Sequence, residues 1–132
     1  MKIALLGYGK MGQTIEKIAV SRGHEIVLTI DKDSPEYDIS VADVAIDFSI
    51  PSSAVDNITN CLNNNIPIIS GTTGWLDHFE DMKKLCSDQK GAFLQPYLSL
   101  KYVQRLRNAY WSRAQFDLLK RILLVSLIEK NY

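Results

Sequence analysis

The sequence predicts an α/β domain with a doubly wound parallel sheet. Short apolar runs, several rich in β-branched residues, alternate with segments in which apolar residues recur at helical spacing. The connections between successive runs are long enough for the crossovers that parallel pairing requires. Glycine or polar residues follow the first four runs, at the carboxyl ends of the predicted strands, where sheets of this kind bind ligands.

The first predicted βαβ unit opens the chain. Lys2–Leu6 is a short apolar run that predicts a buried strand, and Gly7 ends it. Apolar residues at helical spacing predict a helix over 10–22, and Gly23 supplies its C-terminal stop. The β-branched run Glu25–Ile30 predicts the second strand.

The alternation continues through the middle of the chain. Residues 34–40 are polar and contain a proline, which predicts a loop, and the apolar run at 44–48 predicts the third strand. Ser52 and Ser53 are candidate caps of a helix from about 54 to 62. The pattern then predicts a strand at 67–70, a helix at about 76–86 and a strand at 92–94.

A glycine turn joins the first predicted strand to the first helix. It reads Gly7-Tyr8-Gly9-Lys10-Met11-Gly12, which is the pattern G-x-G-x-x-G. Here the first glycine permits a tight turn, the second lets the backbone approach a pyrophosphate, and the third lets the helix pack on the strand. The N–H groups of the helix N-terminus favour phosphate. The turn therefore predicts a Rossmann-type dinucleotide site, the alternative being a glycine turn with a structural role.

Two residues after the second strand bear on the choice of cofactor. Asp31 lies about 20 residues beyond the glycine turn, where a carboxylate accepts hydrogen bonds from ribose hydroxyls and favours NAD. The alternative is an aspartate that only begins a turn. Lys32 and Lys10 are cations that would accommodate a 2′-phosphate, although Lys32 is also explained as a solvated residue. We expect NAD(P)H, with NAD preferred and NADP tolerated.

A second glycine-containing turn, Gly71-Thr72-Thr73-Gly74, follows the fourth predicted strand. The two glycines would let the backbone approach a flat ring, and the two hydroxyls offer donors and acceptors for a carboxamide or a carboxylate. The alternative is a turn whose threonine hydroxyls cap the next helix. The residue types alone favour neither interpretation.

Composition excludes several classes of function. The chain has 15 Lys and Arg against 15 Asp and Glu, and this balance argues against a nucleic-acid binder. No apolar stretch is long enough for a membrane span and no signal peptide is recognised, so a cytoplasmic location is expected. Cys61 and Cys86 lack metal-ligand spacing and are expected to stay reduced. Neither His24 nor His78 has a suitable partner, so no catalytic residue and no metal ligand is predicted.

The C-terminal segment differs in charge from the rest of the chain. Residues 1–94 carry 8 Lys and Arg against 13 Asp and Glu, whereas residues 95–132 carry 7 against 2. We expect a dinucleotide-binding domain over 1–94 and a basic helical tail over 95–132. The basic residues of the tail are either a surface for association with a partner or a homo-oligomer, or the solvated face of a helix that covers the sheet.

A family resemblance rests on four segments, which are KIALLGYGKMG at 2–12, RGHEIVLTID at 22–31, DVAIDFSIPSSAV at 43–55 and IPIISGTTGW at 66–75. On these residues the chain resembles the dihydrodipicolinate reductases (4-hydroxy-tetrahydrodipicolinate reductases) of the diaminopimelate route to lysine. The GTTG turn and the earlier DFS-x-P segment are the more specific features, because G-x-G-x-x-G occurs in many oxidoreductases.

The resemblance implies a role for each matching position. The turn at 7–12 would bind the pyrophosphate, and Asp31 would bind the ribose, with Lys32 as the neighbouring cation. The implied reaction is hydride transfer from NAD(P)H to a cyclic precursor, giving tetrahydrodipicolinate. Two further segments would flank the rest of the cofactor. Phe48 and Ser49 would lie along the adenosine side. The nicotinamide and the substrate would be contacted by Gly71, Thr72 and Thr73.

The resemblance ends at about residue 94. The family there normally continues with a segment containing asparagine and glycine, and then with a substrate domain that has a paired-histidine segment and a Ser-Gly-Thr turn. Residues 95–100 read Gln-Pro-Tyr-Leu-Ser-Leu, and neither feature follows. We therefore expect the catalytic half to be missing through a frameshift or truncation, with a small-molecule substrate bound only if the site is complete. The alternative is a non-catalytic NAD(P)-binding or sensing module that associates through its tail.

Overall fold

The computed structural model of the chain describes residues 1–94, which form a parallel sheet with helices packed against it. The strands and helices alternate as the sequence predicts. The strands are β1 (Lys2–Leu6), β2 (Glu25–Ile30), β3 (Val44–Asp47), β4 (Ile68–Ser70) and β5 (Phe93–Leu94). The helices are α1 (Lys10–Ser21), α2 (Pro51–Asn63) and α3 (Phe79–Asp88), with short 3₁₀ turns at Ile39–Val41 and Leu76–His78.

The strand order is β2-β1-β3-β4-β5, and every neighbouring pair is parallel. The chain passes from β1 to β2 on one side and then crosses back, so that β3 pairs with the other edge of β1. This reversal is the topological switch point at which doubly wound sheets bind ligands, beyond the carboxyl ends of the strands. The predicted fold class is therefore confirmed over the described residues.

Two buried clusters cover the two faces of the sheet. Successive side chains of a strand point to opposite faces, so that Ile3 and Leu5 pack on one side with α1, whereas Ala4 and Leu6 pack on the other with α2. Strands β1, β3 and β4 are buried on both faces, which explains why their sequences are continuous apolar runs. This rigid sheet fixes the loops at its carboxyl edge.

The start of α2 differs from the prediction. The helix begins at Pro51, three residues before the predicted start, and Ile50 is its N-cap residue without a side-chain capping bond. Ser52 and Ser53 lie inside the first turn, so their prediction as caps is wrong. Proline at the first helical position supplies the required φ, and it lacks only an N–H that the helix could not have paired.

Two further differences concern turns. The segment predicted as a loop at 34–40 ends in the 3₁₀ turn Ile39–Val41. The Asp38 carboxylate caps this turn by accepting a hydrogen bond from the Ser40 N–H. The helix predicted from about 76 begins as the 3₁₀ turn Leu76–His78 before α3 continues it. The predicted helical tail and its domain boundary lie outside the described residues.

Candidate functional site

A cavity of about 280 Å³ lies at the carboxyl edge of β1, β2 and β3. Four of its lining residues were not predicted as site residues, namely Ile30, Ile50, Ser53 and Asn57. The last two come from α2, and only the folded structure brings them over the strand ends. Seven of the residues predicted from the sequence also line it, namely Gly7, Tyr8, Gly9, Asp31, Lys32, Phe48 and Ser49.

The first and third glycines of the turn are required by close backbone contacts. Gly7 has a φ of +96°, and a Cβ there would lie 2.3 Å from the carbonyl oxygen of Phe48. A Cβ at Gly12 would lie 2.4 Å from the carbonyl oxygen of Gly7. Both approaches are far shorter than a carbon–oxygen contact allows, so the turn, β3 and α1 fit together only without these side chains.

The second glycine faces open space. Gly9 is the N-cap residue of α1, and a Cβ built on it would meet no atom within 4 Å among the described residues. No side chain of residues 1–94 caps this helix, and its first turn holds no acidic residue. The partial positive charge of the helix N-terminus is therefore left for an anion beside Gly9.

Tyr8 is tied to α1 through Glu16. Its hydroxyl donates a hydrogen bond to the Glu16 carboxylate, and its ring lies beside Gly12, with Cδ2 3.6 Å from the position a Cβ there would take. The hydrogen bond to Glu16 raises the pKa of Tyr8, because it stabilises the protonated phenol. Glu16 fixes one wall of the cavity, and the glycine pattern gave no signal for it.

Asp31 takes part in two short hydrogen bonds of the turn after β2. The Lys32 N–H donates to Asp31 Oδ1 over 2.8 Å, and the Asp31 N–H donates to Ser34 Oγ over 2.8 Å. The aspartate thus organises a turn, as the structural alternative predicted. Its carboxylate also lines the cavity together with exposed Lys32. One residue can serve both purposes, because only Oδ1 is used within the turn.

The segment at 71–73 packs against the segment at 48–49 rather than lining the cavity. A Cβ at Gly71 would lie 2.2 Å from Cε1 of Phe48, so the missing side chain of this glycine makes room for an aromatic ring of the protein itself. Thr72 is buried and accepts a hydrogen bond from the Ser49 N–H over 2.9 Å, whereas Thr73 is exposed. The alternative in which threonine hydroxyls cap the following helix is wrong for Thr72, whose hydroxyl donates to Asp47.

Three of the predicted residues lie on α1 outside the cavity. Lys10 and Met11 form the exposed first turn of the helix, and Gly12 is buried behind them against the glycine turn. Their place at the N-terminus of α1 puts their backbone, rather than their side chains, beside the open space at Gly9.

Asp47 is the main feature of the site that the sequence analysis missed. It is fully buried at the end of β3 and accepts hydrogen bonds from the side chains of Ser49, Asn57, Ser70 and Thr72. Because Asp47 lies within an apolar run, the sequence predicts only that it belongs to a buried strand. The DFS-x-P pattern was the available signal, although only Phe48 and Ser49 of this segment were predicted as site residues.

The two cysteines are not among the residues that line the cavity. Cys61 and Cys86 are buried free thiols, and burial raises the pKa of Cys61 to about 12. Within residues 1–94 no cluster of His, Cys, Asp and Glu could hold a metal ion. No helix in that part of the chain is long and apolar enough to cross a membrane.

Comparison with known proteins gives a consistent picture. Residues 1–96 match the family described as "Dihydrodipicolinate reductase, N-terminus". The chain is 50% identical over 96 residues to 4-hydroxy-tetrahydrodipicolinate reductase of Christiangramia forsetii, and 32% identical over 109 residues to that of Staphylococcus saprophyticus. The matches cover 71% and 75% of this chain but 40% and 45% of the relatives. The chain thus spans less than half the length of these relatives.

A solved structure shares the fold at low sequence identity. It is a hyperthermophilic archaeal homoserine dehydrogenase in complex with NADPH, matched with a TM-score of 0.56 at 12% identity. The match covers 72% of this chain and 43% of the dehydrogenase. At this identity the likeness concerns the fold alone.

Proposed function

Since the chain belongs to the dihydrodipicolinate reductase family through its N-terminal domain, we propose that residues 1–94 bind NAD(P)H. The observation that carries this proposal is the open space at Gly9 in front of the uncapped N-terminus of α1. A pyrophosphate fits there in size and charge, because the helix offers N–H groups and the glycine leaves no side chain in the way.

The adenosine half of the cofactor would occupy the cavity. Asp31 would accept hydrogen bonds from the ribose hydroxyls through the oxygen that the turn does not use. Phe48 and Ser49 would flank the adenosine, and Lys32 would meet a 2′-phosphate. We therefore propose that the chain prefers NAD and tolerates NADP.

The nicotinamide half would extend toward the segment at 71–73. Gly71, Thr72 and Thr73 would hold the ring from this side, with Thr73 exposed toward the solvent and Thr72 buried beneath it. When bound, NAD(P)H supplies a hydride for reduction of the cyclic precursor that the family uses in lysine biosynthesis. The chain's own contribution is to orient the cofactor at the strand ends.

We propose that residues 95–132 form a basic segment unlike the start of the family's substrate domain, so that these 132 residues by themselves bind cofactor with little or no turnover. The excess of Lys and Arg in this segment also favours the second candidate, a cofactor-binding or sensing module that self-associates or binds an acidic partner. We also propose a cytoplasmic location.

Titration of NADH and NADPH into the full chain, followed through tryptophan fluorescence, tests the proposal. We expect saturable binding of both cofactors, with NADH bound more tightly. Absence of binding to either would overturn it. An assay of the same sample with the lysine precursor tests the proposed lack of turnover, because sustained turnover would contradict both candidates.

A further inference from the structure

We propose that Asp47 is a positioning residue that holds the two cofactor-facing segments, 48–49 and 71–73, in one arrangement. This inference rests on the proposed function, because it concerns the same site. Asp47 and its four side-chain donors form what we call the Asp47 cluster, which comprises Asp47, Ser49, Asn57, Ser70 and Thr72.

Each carboxylate oxygen of Asp47 serves a different part of the site. Oδ1 accepts hydrogen bonds from Ser49 Oγ over 2.6 Å and from Asn57 Nδ2 over 3.0 Å. Both donors line the cavity. Oδ2 accepts from Ser70 Oγ over 2.7 Å and from Thr72 Oγ1 over 2.8 Å, and these two residues belong to the end of β4 and to the turn that follows it. One side chain therefore joins the cavity wall to the 71–73 segment.

Backbone contacts reinforce the same junction. The main-chain oxygen of Asp47 accepts the Gly71 N–H over 2.8 Å, which continues the pairing of β3 with β4. The Thr72 hydroxyl, while donating to Asp47, also accepts the Ser49 N–H over 2.9 Å. Thr72 thus contacts both the carboxylate and the backbone of the opposite segment, so its position depends on the carboxylate.

The charge of the cluster distinguishes it from ordinary core packing. Asp47 is fully buried, its four side-chain donors are neutral hydroxyl and amide groups, and no ion pair within residues 1–94 involves it. A buried carboxylate is costly unless donors satisfy it, and apolar replacements often stabilise a core as well or better. What a carboxylate provides here is two acceptor oxygens that fix one donor from each of the two segments, together with one donor from α2 and one from β4.

An amide variant of Asp47 distinguishes the effect of the charge and the two acceptor oxygens from the effect of side-chain size. Asp47→Asn has nearly the same shape, but an amide has one acceptor oxygen in place of two, so it serves only one of the two segments. Asp43→Asn is the matched control. Asp43 is exposed just before the same strand begins and accepts the Lys2 N–H over 2.7 Å, and it does not line the cavity.

The readout is the affinity for NADH relative to ADP-ribose, measured by titration of the full chain. ADP-ribose lacks the nicotinamide, so the ratio of the two dissociation constants reports the contribution of the 71–73 segment. We expect wild type and Asp43→Asn to bind NADH more tightly than ADP-ribose. In Asp47→Asn we expect this preference to fall by about tenfold, which corresponds to roughly one hydrogen bond to a charged group.

A second pair of variants decides the matter if Asp47→Asn does not fold. Thr72→Val removes the hydroxyl at nearly constant volume, and Thr72→Ser keeps it. We expect Thr72→Ser to retain more of the preference for NADH than Thr72→Val, whereas a role in packing alone would favour the valine. Thermal unfolding of each variant shows that the comparison is made on folded protein.

The outcomes separate this inference from the proposed function. Wild type that binds none of NADH, NADPH and ADP-ribose overturns the proposed function and this inference with it. Wild type that binds NADH and ADP-ribose equally overturns the inference alone, because the 71–73 segment then contributes nothing. Folded Asp47→Asn or Thr72→Val with an unchanged preference also overturns it.

Discussion

The ring of Phe48 fills the space in which a side chain of residue 71 would lie, since a Cβ on Gly71 would be 2.2 Å from Phe48 Cε1. Gly71 follows β4, and Phe48 follows β3, the neighbouring strand. The glycine of the second turn therefore has a packing role in addition to any role toward a ligand. Phe48 lines the cavity, so this contact joins the 48–49 segment of the cavity wall to the 71–73 segment.

We predict that Gly71→Ala lowers the free energy of unfolding by about 1–3 kcal/mol, as overpacking does elsewhere. The added methyl group would push the Phe48 ring from its place. Denaturant unfolding measures the loss. In a Phe48→Ala background the same substitution should cost much less, and equal costs in the two backgrounds would show that the two residues are not coupled.

Asp31 and Lys32 should govern the choice between NADH and NADPH. Asp31→Asn retains an oxygen for the Lys32 N–H and removes the charge, so the turn is kept while repulsion of a 2′-phosphate is lost. We predict that the ratio of the two affinities shifts toward NADPH by about tenfold, the size of a charge-assisted hydrogen bond lost to NADH.

Fluorescence titration with each cofactor measures this shift. Asp33→Asn, two residues away and also exposed, is the matched control and should leave the ratio unchanged. A shift of the same size in the control would show that only the overall charge of the loop matters.

Removal of the partner of Tyr8 should change its titration. The hydrogen bond to Glu16 raises the pKa of the phenol, so ionisation of Tyr8 is delayed to higher pH in the folded protein. A raised folded pKa contributes stability below the unfolded value of about 10 and loses it as the pH rises above that value. We predict that Glu16→Gln moves the Tyr8 titration to lower pH.

Absorbance titration of the phenolate checks this. The chain has 6 tyrosines, so the signal of Tyr8 is obtained as the difference from Tyr8→Phe. Equal Tyr8 titrations with Glu and Gln at position 16 would contradict the assignment.

The buried thiols should make the fold sensitive to alkaline pH. Burial raises the pKa of Cys61 to about 12 and raises that of Cys86 as well. In the unfolded chain a thiol ionises near pH 8.5, so the stability from the protonated thiol is complete below that pH and declines above it, by up to about 1.4 kcal/mol per pH unit for Cys61.

Urea unfolding between about pH 8 and 11 measures the slope. Cys61→Ala should be less stable at neutral pH because of the lost volume, but its stability should fall less steeply with pH. Parallel curves for the two proteins would mean that Cys61 does not titrate on unfolding. In the folded protein both thiols should also resist alkylation until denaturant is added.

The fold and half of the site follow from local sequence signals. Gly7, Gly9 and Gly12 are predicted from their spacing within one strand-turn-helix unit, although the closest approach at Gly7 is to Phe48 beyond β3. Asp47 could not be predicted in the same way. Its donors lie 2, 10, 23 and 25 residues away in the sequence, and they converge only when β3, β4 and α2 are assembled.

Gly71 was predicted as a site residue, but its contact partner could not be predicted, because that partner follows a different strand. Close approach of the backbone to the flat ring of a ligand was one of the two interpretations that the residue types left open, and in the structure the Phe48 ring lies against Gly71. The residue type was informative about geometry but not about which ring it meets. The early start of α2 was missed for a different reason. Ser52 and Ser53 were predicted as caps, whereas proline favours the first helical position, where Pro51 lies.

The central claim is that a dinucleotide occupies the open space at Gly9, and calorimetric titration of NADH into Gly9→Ala tests it most directly. A methyl group there meets no atom of the described protein, so the fold should tolerate it, whereas a bound pyrophosphate would collide with it. Gly23→Ala, the same change at the far end of α1, is the control. Its φ of +79° predicts a loss of stability of about 1 kcal/mol with NADH affinity retained. We predict that Gly9→Ala keeps its stability and loses NADH affinity by at least about tenfold. Wild-type affinity in a folded Gly9→Ala chain would contradict the account.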